Sequence, residues 1–384
     1  MAELVKVVVD AMGGDNAPGE IVKGAVEALT ESKDIFIYLL GMEEAVKQEL
    51  SKYTYDQERV EVVACSEVIE MAEPPVNAIR KKKDSSIVKG MHMVREGQAD
   101  AFVSAGSTGA VLVGGQVLVG RIKGVERPPL APLIPTDNER GCSLLIDCGA
   151  NVDARPSNLV QFAKMGSIYM ESVMGVKNPK VGIVNIGAEE EKGNALVKET
   201  FPLLKACPDI NFVGSVEARD IPAGVVDVVV CEAFTGNVIL KTYEGVGATL
   251  ISKVKKGMMS SLRSKIGALL VKPALKQTLK AFDLEQYGGA PMLGLKGLVV
   301  KTHGSSKSVE IKNSILQVMN VAPNEIHMDT TLAGDLGMDS LDAFQIILKI
   351  QERLSIELDP RKIEKVETVR QAVKLLEQTV KANQ

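Results

Sequence analysis

The chain has 384 residues, 45% of them hydrophobic and 24% charged, and its 45 basic and 49 acidic side chains leave a net charge of −4. That is a soluble globular profile with room for two or three domains and a large core, and no global basicity suggests nucleic acid as a partner. Aromatic residues at 4% and the lack of Trp argue further against base-stacking surfaces, and no apolar run is long enough to span a bilayer.

The first residues, MAELVKVVVDAMGGD, have no basic segment leading an apolar core and cleavage site, so no signal peptide is expected. Cys65, Cys142, Cys148, Cys207 and Cys231 are odd in number and form no CxxC pair. They read as buried thiols in a reducing cytoplasm, with neither a disulfide framework nor a metal site. Val5–Val9 is a β-branched run ending in Asp10, followed by AMGGDNAP and a helical pattern over Glu20–Leu29. Strand, glycine turn, helix is the opening of an α/β unit.

Short apolar runs recur at Ile35–Leu40, Val60–Ala64, Ala101–Val103, Leu144–Ile146, Val181–Ile186, Asn211–Val213 and Val226–Val230. Helical stretches lie between most of them, at Ser86–Gly97, Ser107–Gly120, Ser157–Gly175 and Glu190–Cys207. Continuous apolar strands alternating with helices predict a mostly parallel sheet covered on both faces, a three-layer α/β/α architecture. Ligands in such folds gather at the carboxyl ends of the strands. The motifs GGDN, SAGSTGA, DCGANVD, NIGAEEEKGN and CEAFTGNV fall there.

From Gly245 to Phe282 the character changes. Lys253, Lys255, Lys256, Arg263, Lys265, Lys272, Lys276 and Lys280 occur without one acidic residue, beside Ile251, Val254, Met258, Leu262, Ile266 and Leu269 at helical spacing. Pro273 is expected to break that run. A basic amphipathic helix suits either an anionic membrane surface or a dimer interface with a solvated lysine face. Then come a strand at Leu298–Thr302, the turn HGSS at His303–Ser306, and a helical pattern carrying Val309, Ile311, Ile315, Val318 and Met319. A domain boundary is placed near Ser306, giving domains 1–306 and 307–384.

The second domain centres on LAGDLGMDSLDAFQ, where Ser340 stands in the first turn of an amphipathic helix with Asp339 as its N-cap. A phosphodiester on that serine would meet free backbone N–H groups and the positive end of the helix dipole. Residues Val309 to about Leu376 resemble acyl carrier proteins, small helical bundles whose GxDSL serine bears a phosphopantetheine arm. The resemblance implies covalent 4'-phosphopantetheine on Ser340.

The body, from Val5 to Ser306, resembles the bacterial phosphate acyltransferases of phospholipid synthesis. It does so through the ordered set VVVDAMGGDNAP, SAGSTGA, LLIDCGANVDARPSNLVQFAKMGSIYME, GIVNIGAEEEKGN, DVVVCEAFTGNVILKTYEG and HGSS. That family moves a fatty acyl group from acyl carrier protein to inorganic phosphate. The resemblance implies a fold related to the phosphotransacylases and isopropylmalate dehydrogenases, a homodimer and no metal. It also implies peripheral membrane attachment from the cytoplasm and a downstream membrane glycerol-3-phosphate acyltransferase. The carrier is supplied by the fused domain, by a free carrier protein, or by both.

Phosphate is already a nucleophile near neutral pH, and a thiol leaves a thioester without strong acid assistance. The site must therefore supply positive charge and N–H donors for phosphate and the developing oxyanion. Lys192, in a turn with Gly193 and Asn194, is the leading phosphate-binding candidate, with a surface lysine among Glu189–Glu191 as the alternative. Asn237 reads as a donor to phosphate or thioester oxygen, or as a helix N-cap. His303 reads as a phosphate ligand, a proton donor to the thiolate, or a structural histidine. Gly13, Gly14, Asp15 and Asn16, with Ser107 and Thr108, line an acyl or pantetheine channel or form a phosphate-binding turn.

Overall fold

The computed structural model describes residues 4–281 and 284–321, together with residues 351, 366, 368, 371–375 and 379. Two compact units divide the chain at Ala322–Pro323. Ser340 and its GxDSL motif lie outside the described residues.

In the first unit the strands divide between two mostly parallel sheets. The first is built from β1 (Val5–Asp10), β2 (Ile35–Gly41), β3 (Val60–Ala64) and β4 (Ala101–Ser104), with the later strands β10 (Ala290–Pro291) and β11 (Leu298–Lys301). Its order is β10-β11-β4-β1-β2-β3, parallel except for the short edge strand β10. The second contains β5 (Leu133–Pro135), β6 (Cys142–Ile146), β7 (Lys180–Asn185), β8 (Asn211–Glu217) and β9 (Val228–Val230). Its order is β5-β6-β9-β7-β8, again parallel apart from edge strand β5. Val7, Val8 and Val9 are all buried, as expected of a strand covered on both faces.

Helices fill the layers around these sheets. Against one face of the first lie α1 (Gly19–Glu31) and α2 (Glu43–Leu50), enclosing a core of Ile21, Ala25, Leu29, Ile37, Leu39 and Val46. A second core joins both sheets, with Val8, Phe102, Leu145 and Val229 packed among α3 (Pro75–Lys81), α4 (Ser86–Arg95) and α5 (Thr108–Gly114). A third lies under α6 (Pro156–Ser172) and α7 (Ala195–Lys205) and holds Leu144, Phe162 and Phe201. The helix expected from Glu190 begins only at Ala195. Gly193 has φ +98°, and the Asn194 side chain accepts from Val197 N at 2.9 Å, so the chain is still a turn until that cap.

Two further expectations are corrected. Pro273 does not end a helix: after α8 (Ala233–Met258), α9 runs Leu262–Ala281 straight through it, and the break falls at residues 259–261 instead. A proline removes only one intrahelical N–H, and flanking turns can carry the helix past it. The boundary near Ser306 also moves, because α10 (Ser308–Val321) packs as the last helix of the first unit. Ile311, Ile315 and Val318 are buried in the α1 core. Gly24 makes the contact possible, since a Cβ there would sit 2.6 Å from Ser308 O and 2.7 Å from the Ile311 Cβ. Lys312 Nζ reaches Glu31 Oε2 at 2.6 Å, and Ser308 N donates to Glu20 Oε2 at 2.8 Å.

Candidate functional site

Adjacent strands β11, β4 and β1 end side by side and release three of the motif turns: HGSS, SAGSTG and GGDN. Asp10 at the end of β1 ties the last two of these together from below. Its buried carboxylate accepts from Ser86 Oγ (2.6 Å), Ser104 Oγ (2.7 Å) and Met12 N (3.2 Å). Burial raises its pKa and these donors oppose the rise. Gly13 packs between Asp10 and Gly106, where a Cβ would fall 2.4 Å from Asp10 Oδ2. Asp15 N donates to Gly304 O at 2.7 Å, and Asn16 Nδ2 donates to Ser305 O (3.0 Å) and Ser306 O (3.2 Å). The GGDN and HGSS turns, nearly 300 residues apart, are thus clasped into one rim.

His303 stands on that rim. Ser305 N donates to Nδ1 at 3.2 Å and Ser305 Oγ lies 2.7 Å from the same nitrogen, so the neutral ring carries its proton on Nε2. Desolvation lowers the His303 pKa below the usual imidazole value of 6.5, and the Lys241 charge lowers it further. Beneath it, Lys301 is buried, donates to Thr302 O, and has its pKa lowered to about 8, chiefly by desolvation. Gly14, at φ +93°, would clash with Gly304 O if it bore a side chain. Ser107 is the buried N-cap of α5, its Oγ accepting from Ala110 N at 3.4 Å, and Thr108 is the first residue of that helix.

In the second sheet the adjacent strands β6, β9 and β7 release the other three turns. Asp147 plays the part there that Asp10 plays in the first. Its Oδ1 accepts from Leu130 N, Gly149 N and Ala150 N, and its Oδ2 accepts from the backbone and side-chain nitrogens of Asn151, all within 3.1 Å. The α8 helix starts on this turn. Gly236 approaches so closely that a Cβ would lie 1.9 Å from Asp147 O. Glu232 is the N-cap, accepting from Phe234 N (2.6 Å) and Thr235 N (2.9 Å). Asn237 is therefore inside the helix and caps nothing: its Nδ2 donates to Cys148 O at 3.3 Å.

Lys192 lies in the turn after β7. Its half-exposed side chain pairs with Glu189 Oε1 at 3.2 Å, and its carbonyl accepts from Asn185 Nδ2 at 3.3 Å. Neighbouring Asn194 shares a small cleft with Cys231, Glu232 and Thr235 at the start of α8. Among the described residues no hydrogen bond or ion pair joins Lys192 to His303 or Asn237. The structure brings Gly13, Gly14, Asp15, Asn16 and His303 into one rim. Asn237 and Lys192 stand at neighbouring strand ends of the other sheet.

Three residues in this arrangement lie within the quoted motifs without having been singled out as site residues: Asp10, Asp147 and Lys241. The two aspartates each close an apolar strand, VVVD and LLID, and a carboxylate at that position is the available clue. Lys241 follows Asn237 by one helical turn. Among the described residues no group of His, Cys, Asp and Glu is arranged to hold a metal ion.

Glycine turns, amides and lysines thus gather at the carboxyl ends of parallel strands in both sheets. The fold is that of the phosphotransacylases. EutD phosphotransacetylase from Staphylococcus aureus superposes with a TM-score of 0.53 at 18% identity, covering 83% of this chain and 94% of that one. A phosphotransacetylase from Streptococcus pyogenes gives 0.54 at 17%, covering 84% and 95%. At the level of sequence the relation is narrower. The chain belongs to the family described as fatty acid synthesis protein, which matches residues 5–328, and it is an acyltransferase. The phosphate acyltransferase of Clostridium perfringens strain ATCC 13124 is 52% identical over 322 residues, 84% of this chain and 94% of that protein. That of Alkaliphilus oremlandii is 52% identical over 322 residues, 84% and 95%. A phosphopantetheine attachment site matches residues 309–376, so both families claim residues 309–328.

Proposed function

We propose that this enzyme transfers a fatty acyl group from an acyl carrier protein thioester to inorganic phosphate, giving acyl phosphate for phospholipid synthesis. The observation that carries the choice of donor is the phosphopantetheine attachment domain in the same chain. Coenzyme A and carrier protein present the same pantetheine thioester, and only the second explains a fused carrier. Phosphopantetheine on Ser340 would supply the thiol that bears the acyl group.

A phosphate oxygen forms the new bond to the thioester carbon, the C–S bond breaks, and the proton of monohydrogen phosphate ends on the departing thiolate. His303, with a proton on Nε2, is the group suited to donate a hydrogen bond to the sulfur as the C–S bond breaks, while the phosphate proton reaches the thiolate directly or through solvent. Lys192 and Asn237 supply charge and an N–H donor for phosphate and oxyanion. Gly13, Gly14, Asp15, Asn16, Thr108 and Asn194 line the approach, and Ser107 holds the start of α5. Around this chemistry the enzyme works as a cytoplasmic homodimer resting on an anionic membrane surface through the α8–α9 segment. It hands its labile product to a membrane glycerol-3-phosphate acyltransferase.

The test is acyl phosphate release, trapped as hydroxamate, from phosphate with acyl carrier protein or acyl-coenzyme A as donor. Carrier protein is the expected donor; turnover with acyl-coenzyme A alone would move the enzyme to the phosphotransacylases. Lys192→Ala should slow release by roughly 10²-fold, the size expected for a lost donor at a forming oxyanion. Intact mass after treatment with a phosphopantetheinyl transferase and coenzyme A should show one added arm, absent in Ser340→Ala.

A further inference from the structure

Lys241 stands four residues after Asn237 on α8, one turn along the same helix face. Contacts on either side hold that stretch. Asn237 Nδ2 donates to Cys148 O at 3.3 Å, and the Tyr243 hydroxyl donates to Pro135 O at 2.6 Å. Leu240 and Ile239 pack against the core shared by the two sheets. The Lys241 side chain is 44% exposed, and its ammonium meets Glu244 Oε2 at 2.7 Å on its own helix.

Its charge is felt at the ends of strands in both sheets. It acts on the Lys301 ammonium at the end of β11, on the His303 ring just beyond it, and on the Cys148 thiol after β6. For His303, desolvation is the larger cause of the lowered pKa and Lys241 the next. One turn from Asn237 on the same helix face, Lys241 lies towards the DCGAN turn that Asn237 reaches, and this charge effect on His303 agrees with that place. A half-exposed ion pair three residues apart on one helix is weak, so a dianion can replace Glu244 at little cost.

We propose that Lys241 is a phosphoryl-binding residue, turning its ammonium from Glu244 to a phosphate group held beside His303 and Asn237. This deepens the acyl-transfer reading above and rests on it. A lysine ammonium suits the task as a compact point charge with three donors, and it would complement Lys192 from the other border of the site. The phosphoryl group belongs to inorganic phosphate or to the phosphodiester of a pantetheine arm, which share the same anionic oxygens.

The experiment uses the full chain in two measurements. Calorimetric titration with inorganic phosphate should show binding weakened about tenfold or more in Lys241→Ala and Lys241→Gln, the order expected for a lost charge-assisted hydrogen bond. Lys241→Arg should restore it to within a few-fold, and Glu244→Gln should bind at least as tightly as the parent. Steady-state kinetics then separate the sources. A raised KM for phosphate with an unchanged KM for donor assigns inorganic phosphate. A raised KM for acyl-phosphopantetheine but not for acyl-pantetheine, which lacks the phosphodiester, assigns the arm. Unchanged phosphate affinity together with unchanged KM values in Lys241→Gln overturns the proposal. A parent chain that binds phosphate through Lys241 yet forms no acyl phosphate defeats the acyl-transfer reading and leaves this one standing.

Discussion

Helices α10 and α8–α9 are both amphipathic, and they treat their apolar faces in opposite ways. On α10, Ile311, Ile315 and Val318 are 1%, 0% and 0% exposed, sealed against α1. Along α8 and α9, Val246 and Leu250 remain 61% and 60% exposed, and Leu269 and Leu270 72% and 76%. Helical spacing of apolar residues marks a face that wants cover, and it does not say what the cover is. In α10 the cover is the enzyme's own core. In α8–α9 the fold of one chain leaves it open, next to lysines with no carboxylate of their own between Gly245 and Phe282. A patch of that kind marks an interaction surface.

The largest test of this contrast is truncation. A chain ending at Ser306 loses α10 and should lose cooperative unfolding, whereas one ending at Ala322 should keep it. The single change Ile315→Ala should cost about 2–5 kcal/mol in denaturant unfolding, the range for opening a cavity at a buried site. A chain ending at Ser306 that unfolds like the longer one would break the comparison at once.

The exposed helices call for the opposite measurement. Binding to anionic vesicles should weaken in high salt and when Lys255, Lys256 and Arg263 become Glu, since each charge near such a surface contributes about 1 kcal/mol. Vesicle binding that ignores both salt and reversal would rule out this segment as the anchor. Smaller still, Leu250→Ala and Leu270→Ala should change the unfolding free energy of the single chain by under about 0.5 kcal/mol. If instead they separate subunits, as sedimentation would show, the face is a dimer interface.

The smallest effect lies at His303. Its folded pKa is below 6.5, so the unfolded chain binds the proton more readily. Stability from this group is therefore present above pH 6.5 and is lost as pH falls through the folded value. Lys241→Gln removes one cause of the depression and should raise the ring pKa towards 6.5, followed by proton NMR. A pKa that does not rise would place Lys241 away from the ring.

Much of the architecture is legible along the chain because its signals are local. A β-branched run closed by a glycine turn and followed by a 3.6-residue pattern specifies strand, turn and helix whatever lies elsewhere. All the motif turns are visible this way, and so is their place at strand ends. What is not local is which turns meet. Asn16 grips the carbonyls of Ser305 and Ser306 only because β11 pairs with β4, which in turn pairs with β1. Two sheets, with Lys192 and Asn237 in one and His303 in the other, are indistinguishable from one sheet in a list of strands.

The same reason explains the residues that were passed over and the boundary that moved. The docking of α8 on the Asp147 turn through Gly236 is not written in the order of the residues. That the oxygens of Ser107 and Asn194 cap α5 and α7 is likewise visible only in the fold. The pattern Ile311, Ile315, Val318 fits a carrier's first helix and an enzyme's last one equally well, and both families claim it. Residue spacing is enough to give this helix one apolar face. Its place in the enzyme's core came from packing, because Gly24 lacks the Cβ that would have kept α10 away from α1.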